Sequence, residues 1–229
     1  MKKLFSAIVR YGPWPLRIRA SAYEHSPAAT VMAIGFGGLL VGLLTAAVFL
    51  AASMLLPNRI ALLISLCAGL AASMPRPAAG LHQPALSGQS ALALALMLMI
   101  KLEAVSEIEP EWSPIILICS ATWARCATLA IRPNTVTGLG SVSAGPRAIC
   151  LLIGAIPMLF FGLWPEPAWG LWMAAIAVLV ISRLLNASGW NAPIVVRWIL
   201  AETVYCVCVI VLMSAAAIAE ITEEDSADS

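Results

Sequence analysis

The sequence predicts an all-α protein, a polytopic integral membrane helix bundle of about seven transmembrane segments, six of full length and one short. Three observations predict it. Of 229 residues, 61% are hydrophobic and 11% are charged, whereas soluble domains carry roughly 45–50% apolar and ~25% charged residues. Apolar runs long enough to cross ~30 Å of hydrocarbon recur along the chain. Basic residues gather in alternate connections between those runs.

Taken in order, residues 1–30 form a cytoplasmic N-terminal amphipathic segment. Its start, MKKLFSAIVRYGPWPLRIR, begins like a signal peptide but is broken at Pro13 and Pro15, so no cleavage is expected. The transmembrane domain follows over residues 31–219. Its apolar runs are Val31–Leu56, Ile60–Met74, Ala91–Ile108, Ile115–Ile131, Ala148–Trp164, Trp169–Leu185 and Ile199–Ala219. The second is the short one, and is expected to tilt little or to enter only partway. Residues 220–229 make an acidic tail with nothing to bury beyond Ile221, and disorder is expected there.

Charge placement orients the bundle. With the N-terminus inside, Lys2, Lys3, Arg10, Arg17, Arg19, Arg76, Arg132, Arg147, Arg183 and Arg197 are cytoplasmic, and Arg59 alone lies opposite. That asymmetry is the positive-inside pattern of a bacterial inner-membrane protein with its C-terminus outside. The net charge of +1 points to no nucleic acid. Three Gly/Pro-rich interruptions, residues 75–90, 132–147 and 186–197, all emerge on the cytoplasmic side. The adaptable backbone of the protein is gathered there.

Ionisable residues inside a membrane are costly and therefore informative. Lys101, Glu103, Arg125 and Glu202 lie within spans. Lys101 with Glu202, or Arg125 with Glu103, would each cancel a buried charge. A structural ion pair with end-of-span snorkelling competes with a functional polar site. The six cysteines lie in or at the edge of spans without a CxxC and read as small hydrophobes. His82, alone in its loop, has the chemistry to bind phosphate or a metal, although a lone loop histidine more often does neither.

Several segments, in order, resemble cobalamin synthase, the membrane adenosylcobinamide-GDP ribazoletransferase. They are LFSAIVRYGPWPL, IGFGGLLVGLLTAAVFL with Gly38 and Gly42, SALALALMLMIKLEAVSEI with Lys101, SATWARCATLAI with Arg125, TGLGSV with Gly138 and Gly140, and the last span with Glu202. The resemblance implies a transferase that joins α-ribazole to adenosylcobinamide-GDP, releases GMP and uses Mg²⁺. It makes Lys101, Arg125 and Glu202 the candidate catalytic residues, and Arg76, His82, Arg132, Gly138, Gly140 and Arg147 the candidate substrate-binding ones. Its implied partners are the lipid bilayer, corrinoid and nucleotide substrates, and a membrane-protein partner or second copy.

The chain departs from that family in its acidic motifs. The family's histidine followed by Asp-Gly is reduced to Gly80 and His82, its Asp-Ser-Arg to Ser87-Gly88, and its Thr-Gly-Asp to Asn191 and Pro193. The only aspartates are Asp225 and Asp228. A Mg²⁺ at substrate phosphates is usually held through one or two carboxylates, so no protein metal ligands are expected. Three functions remain open: a transferase working through arginines, glycine loops and substrate-borne Mg²⁺; a non-catalytic paralogue that binds a corrinoid, a nucleotide or a membrane partner; and, without repeat evidence, a small-solute transporter.

Overall fold

The computed structural model describes residues 27–73, 88–131, 144–161, 165–188 and 194–227. Seven helices account for them: α1 (Pro27–Ser53), α2 (Asn58–Ser73), α3 (Gly88–Ser106), α4 (Ser113–Ile131), α5 (Ala144–Phe161), α6 (Pro165–Ala187) and α7 (Ile194–Ala227). No strand occurs among the described residues. Proline sets most boundaries, because it is tolerated in a first turn and disfavours helix in the residue before it. Pro57 separates α1 from α2 and accepts from the amides of Ile60 and Ala61 through its carbonyl. Pro110 lies between α3 and α4, Pro133 follows α4, and Pro193 precedes α7. Pro157, inside α5, removes one intrahelical donor.

Helix α4 is the centre of the bundle. Its residues are buried without a break from Ile116 to Leu129, and it packs on α1, α5, α6 and α7. Such a position requires small side chains, since helices in an apolar medium associate through close packing. Ala121, Ala124, Ala127, Ser120 and Thr122 supply them. Helix α1 crosses α4 antiparallel: a Cβ on Gly35 would meet Cys126, one on Gly38 would lie 3.2 Å from Thr122 Cα, and one on Gly42 would lie 2.9 Å from Ile118 Cα. Gly38 and Gly42 are a small-xxx-small pair set backbone to backbone.

Among the described residues, four helices are long and apolar enough to cross a membrane, over Val31–Ser53, Ser113–Ile131, Trp169–Ala187 and Val196–Ala215. Helices α2 and α5 are apolar but shorter. Outward faces carry apolar stripes at helical spacing, Leu92, Leu96 and Met99 on α3 and Met173, Ile176, Val180 and Leu184 on α6. Exposed apolar area on this scale marks a surface that something non-aqueous covers.

Two expectations need correction. Helix α7 continues to Ala227, so most of the acidic segment read as a disordered tail belongs to its last turns. Glu103 does not reach Arg125. It projects from the bundle beside Glu107, and both meet Arg59 at the start of α2, at 3.4 and 3.7 Å, with all three side chains about two-thirds exposed. The reason is angular: at ~100° per residue, positions 101 and 103 face nearly opposite ways. Only one of them can point inward, and it is Lys101.

Candidate functional site: a buried charge triad

Lys101 on α3, Arg125 on α4 and Glu202 on α7 converge inside the bundle. They are 3%, 2% and 5% exposed. Lys101 Nζ donates to Glu202 Oε2 at 2.6 Å, and Arg125 Nη1 donates to Glu202 Oε1 at 3.1 Å. One carboxylate thus serves two cations, using one oxygen for each. Neighbouring helices fix the approach. Helices α3 and α7 run parallel, with Leu94 packed beside Val196 and Ile199 and Thr203 donating to the Met97 carbonyl at 3.3 Å. Arg125 reaches the site past Gly38, where a Cβ would lie 3.1 Å from its Cδ.

Arg125 has further partners. Nη1 also donates to its own helix at the Ala121 carbonyl, 2.7 Å away, and Nη2 donates to Ser73 Oγ. Ser73 passes the interaction on, donating to the Gly69 carbonyl at 2.6 Å. The guanidinium also lies over the Trp198 ring, 5.1 Å from its centroid.

Two cations against one carboxylate leave the triad with one excess positive charge, and its surroundings answer that excess. Ser73 gives the guanidinium a neutral hydroxyl acceptor from α2. The Trp198 face adds quadrupole attraction. Next to Lys101 and Glu202 lies a small cavity walled by Thr45, Leu66, Leu70, Leu98 and Ile199, with ≈ 10 Å³ open to the centre of a water. That is room for about one water molecule.

The three candidate catalytic residues are therefore one unit. Arg147 is half-buried in the first turns of α5, a helix that supplies none of the three charges. Arg76, His82, Arg132, Gly138 and Gly140 lie outside the described residues. Sequence reasoning missed Ser73 and Trp198. Neither carries a signal in the sequence, because each acts on Arg125 from another helix.

The Mg²⁺ implied by the resemblance does not fit the residues described. Hard cations take several oxygen ligands, and the one carboxylate here has each oxygen engaged by a cation. No group of three His, Cys, Asp or Glu able to hold a metal occurs among the described residues. Glu202 is held on both oxygens by cations, which lowers its basicity toward a reactant. The arrangement locks three helices in register and concentrates positive potential at the bundle interior.

Searches of protein-family models, curated proteins and solved structures return no match to this chain.

Proposed function

We propose that the chain is a multi-pass protein of the bacterial cytoplasmic membrane, with its N-terminus inside and its C-terminus outside. All seven helices enter the bilayer, α2 only partway. On this reading it follows the cobalamin-synthase plan and serves the last steps of cobamide nucleotide-loop assembly. Its role there is to bind a corrinoid or nucleotide substrate, or a membrane partner, without turning it over. The observation that carries the reading is convergence. Lys101, Arg125 and Glu202, the intramembrane charges that the resemblance singles out, meet from helices whose contacting residues are 77 and 101 positions apart. The apolar stripes on α3 and α6 support the bilayer.

Binding is favoured over turnover because both oxygens of the triad's carboxylate are held by cations. In addition, the connections 74–87, 132–143 and 189–193 contain no Asp or Glu. A ribazoletransferase would then lack the metal contribution to stabilising charge in its transition state, typically several kcal/mol. The deciding experiment has two readouts. Purified protein is titrated with adenosylcobinamide-GDP, and membranes bearing it receive that compound, α-ribazole and Mg²⁺ while GMP is measured. Saturable binding with no GMP above vector membranes is expected. GMP release would establish the transferase reading instead, and absence of binding together with absence of release would remove both.

A further inference from the structure

Between α4, α6 and α7, at the end where Arg183 and Arg197 lie, runs a groove with about 460 Å³ of unfilled space counting its open mouth. Its two longer walls are antiparallel. Asn186 stands across from Arg197 at one end, and Val178 across from Val204 at the other. The eight helical steps from Val178 to Asn186 give a length of about 12 Å. Chemistry changes along it. Arg197, Asn186 and Ser182 line the outer end, whereas Val178, Leu200 and Val204 line the deep end.

We infer that this groove is a binding site for an anionic phospholipid of the cytoplasmic leaflet, with the phosphate at Arg197, Asn186 and Ser182 and an acyl chain along Val178, Leu200 and Val204. The inference rests on the membrane reading above and not on the cobamide one. Charge complementarity selects the occupant. Arg197 carries five donors, so it can hold phosphate oxygens alongside its other contacts, and Asn186 and Ser182 add neutral donors. Basic pockets between membrane helices on the cytoplasmic side are suited to anionic head groups. A second apolar groove, between α3 and α7, is the internal contrast. Met99, Ile100, Ala104, Val207, Ile210 and Val211 line it with Glu103, and a carboxylate there repels a phosphate.

The test uses the full chain purified in neutral detergent, with phosphatidylglycerol or phosphatidylcholine added and lipid retention read by native mass spectrometry. Phosphatidylglycerol should be retained about fivefold or more over phosphatidylcholine, whose choline cation cancels its phosphate charge, the size expected for roughly one arginine beside a net anionic lipid. Arg197→Gln should abolish that preference and Arg197→Lys should keep most of it. Ile181→Trp, which fills the groove wall, should lower retention of both lipids, while Glu103→Gln should change neither. Equal retention of the two lipids, or an Arg197→Gln protein that keeps its preference, overturns the inference. Displacement of the lipid by inorganic phosphate alone also overturns it, leaving a phosphate site. Carbonate extraction of the cell membranes, run in parallel, separates the two readings: a protein released into the soluble fraction defeats the membrane reading itself.

Discussion

Glu202→Gln is the substitution with the largest calculable consequence. It keeps the shape of the side chain and removes the one negative charge that two buried cations share. At an effective dielectric of ~20, the 2.6 Å contact to Lys101 and the 3.1 Å contact to Arg125 are worth about 6 and about 5 kcal/mol gross. Against them stands a desolvation penalty of several kcal/mol per ion, which remains after the carboxylate is gone. Breaking one buried pair costs about 3–5 kcal/mol, and here two pairs break at once, so a loss at or above the top of that range is expected.

Lys101→Met should behave differently. It removes the excess positive charge and leaves Arg125 and Glu202 paired, so it should cost far less, about 1 kcal/mol, near the middle of ordinary substitutions. In the double variant, Met at 101 spares one of the two stranded cations. The two changes should therefore couple favourably by about 1–3 kcal/mol. Equilibrium unfolding of the four proteins in mixed detergent micelles, followed by tryptophan fluorescence, gives the cycle. Additive costs, or a Lys101→Met protein as unstable as Glu202→Gln, would refute the shared-carboxylate reasoning.

Other outcomes are expected from single contacts. Gly42→Ala places a methyl 2.9 Å from Ile118 Cα, backbone that cannot swing aside; thermal unfolding should show a loss of about 1–3 kcal/mol, as for overpacked cores. Arg59→Ala removes the exposed contacts to Glu103 and Glu107 and should shift stability by less than about 1 kcal/mol in the same assay. Trp123→Phe deletes the 2.9 Å hydrogen bond to the Ala175 carbonyl, which keeps its own intrahelical donor, and should cost about 0.5–1.5 kcal/mol. A cysteine placed at Ser87 should react with an impermeant thiol reagent only in inside-out vesicles; labelling of intact cells would invert the orientation.

Composition and hydropathy alone determined the all-helical class and, among the described residues, the existence and order of the seven helices. They sufficed because unbroken apolar runs and the prolines that end them are signals local in the chain. Spacing also bears on the pairing. Lys101 and Glu103 lie on nearly opposite faces of one helix, so an inward Lys101 by itself conflicts with an Arg125–Glu103 pair. The extension of α7 through the acidic residues was not legible from composition, which speaks to burial and not to the momentum of a helix already nucleated. What only the tertiary structure decided is which charges meet. Glu202 serves both cations, Ser73 accepts from Arg125, and Trp198 covers the guanidinium. Each is a lateral relation between helices far apart in sequence. No periodicity within one helix encodes it, because it is fixed by how closely the backbones of different helices approach.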